Sequence, residues 1–209
     1  MTSTKSITAG ALFQYGFMAL PLAFAGLPLY IHAPDFYATA TSVSLSTIGT
    51  IILFVRLLDA VQDPFIGLFS SRFRDYRPLI MKISLVLMGV GFIMLFYPPG
   101  QFTRTWLALS LVITTTAFSV LSINLNALGS LWSRDSQEKV AITSWREAMG
   151  LGGLLGAAIL PALVNLKLYG FILAALLVFA GILFSVWYRA HSSALSANEY
   201  SANPGFSIP

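Results

Sequence analysis

The chain has 209 residues, of which 56% are hydrophobic and only 10% charged, with a formal net charge of +4 and no cysteine. Water-soluble domains average about 25% charged residues, so this composition excludes one. The missing cysteines exclude disulfides, thiolate metal sites and cysteine nucleophiles. His32 and His191, the two histidines, lie too far apart in sequence for metal-ligand spacing. A mean hydropathy of +0.78 leaves a single membrane domain as the reading, without nucleic acid as a partner, because the basic residues flank apolar runs and form no basic patch.

In chain order, the first apolar run covers residues 7–31, too long for a signal-peptide core, with Pro21 and Pro28 as kinks. Membrane helices tolerate such prolines where neighbours satisfy the freed backbone groups. A connector over 32–41 leads into a second run at 42–70. An arginine-bearing loop at 71–78 precedes a third run at 79–97, closed by Pro98-Pro99-Gly100. Runs at 105–132, 140–164 and 168–188 follow, each long enough for a hydrocarbon core that needs about 20 helical residues. The expected fold is all-α, with six transmembrane helices in residues 1–189. Residues 190–209, rich in Ser, Ala and Asn, read as a disordered polar tail.

Basic residues concentrate on one side of this six-span arrangement. Lys5, Arg72, Arg74, Arg77, Lys82, Arg134, Lys139 and Arg189 share it, against Arg104 and Lys167 on the other. The positive-inside rule then places both termini in the cytoplasm of a multi-pass protein of the cell membrane.

The second run carries Arg56, Asp59 and Asp63, followed by Pro64. At 100° per residue the three charges fall within roughly 60° of arc and span about 10 Å of helix. Charges inside a span are costly and mark an ion or substrate path. Two ionised carboxylates one turn apart repel, and a proton or metal cation between them relieves the repulsion. Pro64 offers no N–H, which leaves the Ala60 carbonyl free as a further oxygen ligand for a hard cation such as sodium. The plain structural alternative is an Arg56–Asp59 pair that only holds helices together. Counting charges within the spans, Arg56 and Arg146 oppose Asp59, Asp63 and Glu147, which leaves one negative charge for a coupling ion.

Arg146, in the fifth run, suits bidentate contacts with hydroxyls or carboxylates, or an ion pair with Glu147. Asn124 and Asn126 can touch solute or bond a neighbouring helix. Tyr15 and Trp145 can stack on a sugar ring or serve packing. Gly152 and Gly156, with the small residues around them, form a face for close helix contact and an expected seam to further helices.

Arg56-x-x-Asp59-Ala60-x-x-Asp63-Pro64-x-x-Gly67, with Asn126-Ala127-Leu128-Gly129 and Thr143-Ser144-Trp145-Arg146-Glu147-Ala148-Met149-Gly150, resembles the glycoside–pentoside–hexuronide:cation symporters. These form the melibiose-permease-like branch of the major facilitator superfamily. The resemblance covers the N-terminal half of that fold and implies an all-α six-helix bundle. It places a sodium or proton site at Asp59 and Asp63, and a place in the sugar-binding cavity at Arg146, with Asn126 and Tyr15 as further solute candidates. Arg56, Glu147 and Arg72 are the supporting charges. Where the family has Asp-Arg after the second helix this chain has Ser71-Arg72. Asn124-Leu125 replaces Pro-Tyr, and Leu131 stands at an acidic position.

The implied function is cation-coupled symport of a sugar or glycoside, with no cofactor beyond the coupling ion and no enzymatic step. The partners are the solute, the lipid bilayer, and a second six-helix half or a second copy. Two rivals remain: a truncated carrier half with an assembly role only, and a membrane enzyme that uses its acids to bind a divalent metal.

Overall fold

The computed structural model describes residues 7–202 and is helical along almost all of that length. Eight α-helices run in order: α1 Ala9–Gly16, α2 Ala19–Leu27, α3 Ala33–Ala40, α4 Leu45–Arg72, α5 Arg77–Phe96, α6 Thr103–Trp132, α7 Ser136–Ile159 and α8 Leu166–Ala202. Helices α1–α3 form one span, Ala9–Ala40, and with α4, α5, α6 and α8 give five helices long and apolar enough to cross a membrane. Helix α7 is the sixth member of the bundle. Its first three turns carry Gln137, Glu138, Lys139, Arg146 and Glu147, which lowers its hydropathy without breaking the helix. The chain is an all-α membrane protein.

Two of the six spans differ from the sequence expectation. The first is longer, because residues 33–40 form α3 where a connector was expected. Its irregularities follow from its prolines. Pro21 has no N–H for the Phe17 carbonyl, which accepts from Leu20 N at 3.1 Å instead and marks the break between α1 and α2. At Pro28 the chain widens into a single π turn, Pro28–His32, closed by Ala33 N–H donating to the Pro28 carbonyl. The last span is also longer. Helix α8 continues past Arg189 to Ala202, so residues 190–202 are an ordered helical extension and not a disordered tail. Lys5 and residues 203–209 lie outside the described residues.

Connections are capped by short polar side chains. Ser44 accepts from Thr47 N at 3.3 Å at the start of α4. Asp135 accepts from Gln137 N and Glu138 N at 2.8 and 3.0 Å at the start of α7, satisfying amides that a helix N-terminus otherwise leaves open.

The core is built on aromatic rings and close glycine contacts. Tyr15, Trp132 and Trp187 pack with ring centroids 4.9–5.4 Å apart, joining α1, α6 and α8. Helix α7 lies on α2 through Gly153, where a Cβ would collide with the Leu20 carbonyl, and through Gly150 and Gly156, which face Ala23 and Phe24. Of the small face, Gly150, Gly153 and Gly156 are therefore spent on α2 inside the bundle, so Gly156 does not serve the seam to further helices expected of Gly152 and Gly156. Gly152 itself meets open space.

Helix sequence makes α4, α6 and α8 end, and α5 and α7 begin, at the same end of the bundle. Arg72, Arg77, Lys139 and Arg189 therefore share one basic end.

Candidate functional site

Helix α4 is a continuous helix through Pro64, and it is the least buried span of the bundle. Leu53, Phe54, Leu57, Leu58, Phe65 and Leu68 are all exposed. Its two acids are more sheltered: Asp59 and Asp63 are half-buried, while Arg56 is exposed. Arg56 lies over the ring of Tyr30, with its guanidinium carbon 3.6 Å from the ring centroid, a cation–π geometry. Asp59 Oδ1 accepts from Gln62 Nε2 at 2.8 Å. Gln62 Oε1 in turn accepts from the Thr116 hydroxyl on α6 at 3.1 Å. Asp63 is the unsatisfied member: its Oδ1 is buried without a hydrogen-bond partner, as is Thr115 Oγ1 on α6.

Neither acid forms an ion pair among the described residues. The two ion pairs there are Arg77–Glu199 and Arg146–Glu147. The simple Arg56–Asp59 pair is thus not formed, and Arg56 spends its charge on Tyr30. A buried carboxylate oxygen without a donor carries a desolvation cost of about 1–3 kcal/mol, and more when charged. No group of three His, Cys, Asp or Glu suited to a metal occurs among the described residues.

Arg146 forms a second cluster. Its Nη2 lies 2.6 Å from Glu147 Oε1, and its Nη1 donates to Asn126 Oδ1 on α6. Asn126 and Glu147 are exposed, while Arg146 is half-buried. Helix α6 therefore supplies one partner to each cluster, Thr116 and Asn126, ten residues apart or about 15 Å along the axis. No hydrogen bond or ion pair joins Arg146 to the acids of α4 among the described residues.

Tyr15 reaches the Arg146 cluster through its hydroxyl alone, which interacts with the Arg146 side chain. It is 0% exposed, its hydroxyl donates to the Leu125 carbonyl at 2.7 Å, and its ring is enclosed by Trp132 and Trp187. A ring enclosed in this way has no face for a solute, so Tyr15 is a core residue. Trp145 packs with its backbone against Gly16. Tyr30, 26 positions before Arg56 in the chain, is the aromatic that meets the charged stripe.

Arg72 is exposed at the last turn of α4. The structured charge at the basic end is Arg77. Its guanidinium bonds Glu199 at 2.9 Å and the Ser70 carbonyl at 3.4 Å. Ser70 Oγ donates to Asn124 Oδ1, and Asn124 Nδ2 donates to the Val120 carbonyl at 2.8 Å. Asn124 is thus a buried helix-bonding residue. Asn198 Nδ2 adds a bond to the Leu131 carbonyl at 2.9 Å, so the α8 extension is tied to both α5 and α6.

Comparison with known proteins gives the bundle its place. Residues 12–206 match the family described as MFS/sugar transport protein. The chain is 27% identical over 139 residues to the inner membrane symporter YicJ of Escherichia coli strain K12, covering 63% of this chain and 30% of that protein. It is 33% identical over 144 residues to the uncharacterized symporter YnaJ of Bacillus subtilis strain 168, covering 61% and 29%. A third similarity, 27% over 127 residues, is to the putative glycoside/cation symporter YagG of Escherichia coli strain K12, covering 57% and 27%. The matched part spans about 30% of the length of such relatives. With the family match running from α1 to the end of α8, the chain belongs to the MFS/sugar transport family of symporters.

Proposed function

We propose that this bundle takes part in cation-coupled symport of a sugar or related solute across the cytoplasmic membrane, with Asp59 and Asp63 as the cation site. One observation carries the reading: Asp63 Oδ1 is buried with no donor on a membrane helix, and Asp63 forms no ion pair among the described residues. A proton would neutralise that oxygen directly. A sodium ion, which binds oxygen ligands, would draw on both carboxylates, with the Thr115 hydroxyl, which interacts with Asp59, as a further oxygen ligand. The names of the relatives support symport, and one of them names glycoside and cation.

Arg146, Asn126 and Glu147 form the polar cluster best suited to solute hydroxyls, since a guanidinium and an amide present several donors in fixed directions. Coupling requires the cation to favour the solute-binding state over the other. In such carriers substrate is held between two bundles, and the exposed apolar side of α4 is proposed to meet the second one, from a continuation of the chain or a second copy. The basic end of the bundle is assigned to the cytoplasm. The reading assigns no enzymatic step to the chain and no cofactor beyond the coupling ion.

The test is solute uptake driven by an imposed sodium or proton gradient, in vesicles containing the complete carrier. Asp59→Cys and Asp63→Cys are expected to abolish gradient-driven accumulation. Accumulation unchanged in both variants would refute the cation site.

A further inference from the structure

An apolar groove of about 610 Å³ runs along the outside of the bundle between α5 and α8. It is remote from both polar clusters, since none of Arg56, Asp59, Asp63 or Arg146 lines it. Its floor is low because two residues there are glycines. A Cβ on Gly89 would sit 3.8 Å from Leu177, and one on Gly181 would sit 3.0 Å from Leu85. Its rims are the exposed side chains of Val86, Val90, Val178 and Ile182. A contiguous apolar surface of this kind marks contact with lipid or another macromolecule.

The two ends of the groove differ in chemistry. Lys82 and Arg189 both line the basic end, and both are exposed. Neither forms an ion pair among the described residues. The opposite end closes on Ile93 and Ala174. From Lys82 to Ile93 the groove follows about 16 Å of α5, and from Ala174 to Arg189 about 22 Å of α8. One leaflet of a hydrocarbon core about 30 Å thick is roughly 15 Å deep. The groove therefore has about the depth of one leaflet, apolar apart from Ser185 along its length, with paired cations where the headgroups lie. Long basic side chains at such a level reach to the interface, and basic pockets between membrane helices on the cytoplasmic side suit anionic headgroups.

We propose that the α5–α8 groove binds an anionic phospholipid, with one acyl chain over Gly89 and Gly181 and the phosphate between Lys82 and Arg189. Charge complementarity selects this occupant over a second copy of the chain, because a copy would bring its own lysine and arginine to the same level. The core residues Met88, Phe92 and Ala180, which are buried, do not line the site.

The test uses the full chain, delipidated in detergent and examined by native mass spectrometry with phosphatidylglycerol or phosphatidylcholine of identical acyl chains. The unchanged chain is expected to retain phosphatidylglycerol with a preference of roughly tenfold or more, the scale of two cations facing an anionic lipid. Lys82→Gln with Arg189→Gln is expected to remove the preference, with each single change causing a partial loss. Arg104→Gln, at the far end of the bundle, is expected to leave it intact. Ala174→Phe, which fills the groove without touching the charges, is expected to lower retention of the lipid severalfold. Excess inorganic phosphate is expected to leave the lipid bound. Folding of each variant is checked by helical circular dichroism and monodispersity, and the single-charge variants stand in if the double variant does not fold. Equal retention of the two lipids by the unchanged chain overturns the proposal. So does an equal loss in Arg104→Gln, displacement by phosphate alone, or an Ala174→Phe variant that breaks a dimer while keeping its lipid.

Discussion

Arg56 and Tyr30 meet face to ring across two helices, with the guanidinium carbon 3.6 Å from the ring centroid. The contact gives the arginine a partner other than the acids on its own helix. A cation–π contact contributes about 0.5–2 kcal/mol, rising as the site loses water. Tyr30→Leu is expected to lower the thermal stability of the detergent-solubilised chain by that amount, and Tyr30→Phe to leave it nearly unchanged. Combined with Arg56→Leu, the Tyr30→Leu change should cost little more than Arg56→Leu alone, because contacting residues are not additive. Additive losses would show that the ring and the guanidinium act separately.

The legible part of this site was the part that contradicts its surroundings. Arg56, Asp59 and Asp63 stand in an apolar run, so composition and helical spacing alone expose them. Tyr30 was not legible, because no local pattern ties it to a residue 26 positions later. Tyr15 misled for the same reason: an aromatic in a membrane helix looks alike whether it faces a cavity or, as here, donates to the Leu125 carbonyl from full burial. Arg77 read as one more loop arginine until Glu199 came to meet it. The α8 extension was hidden by its Ser, Ala and Asn composition, since the bonds that order it, from Glu199 to Arg77 and from Asn198 to Leu131, are long-range. The helix count was readable from apolar run lengths, whereas the extra turns at α3 and α8 were not.

Asp63 gives a prediction in the isolated chain. Its buried oxygen has no donor, a cost that a bound cation would relieve. Raising sodium at constant ionic strength, with choline as the replaced ion, is expected to raise the unfolding temperature of the unchanged chain. Asp63→Asn is expected to be insensitive to that exchange and at least as stable as the unchanged chain without sodium. Unfolding temperatures measured across the exchange decide it. An unfolding temperature of the unchanged chain that does not respond to the exchange would count against sodium at Asp63.

At the basic end, Arg77 and Glu199 form a pair with side chains only 4% and 17% exposed. Removing one partner of a buried pair costs about 3–5 kcal/mol, because the other charge is left without compensation. Arg77→Gln is expected at the lower limit, about 3 kcal/mol, since Glu199 keeps some access to water. The readout that separates this from a general loss is local. Backbone hydrogen exchange should accelerate over residues 190–202 before it does in α5 or α6. Uniform acceleration would show that the pair supports the whole bundle and not the extension.

Gly152 and Gly153 are neighbours on α7 with opposite expectations. A Cβ at Gly152 meets nothing within 4 Å, whereas one at Gly153 would collide with the Leu20 carbonyl and lie 2.9 Å from its carbon. The obstacle at Gly153 is backbone, which cannot swing aside as a side-chain end would, so α7 and α2 must part. Gly153→Ala is therefore expected to destabilise the chain by about 1–3 kcal/mol, the range for overpacked cores. Gly152→Ala is expected to stabilise it by up to about 1 kcal/mol, from helix propensity alone. Thermal unfolding of the two single variants, side by side in one detergent, checks both signs. Equal effects at the two positions would mean that α2 and α7 do not pack at Gly153 as closely as the structure places them.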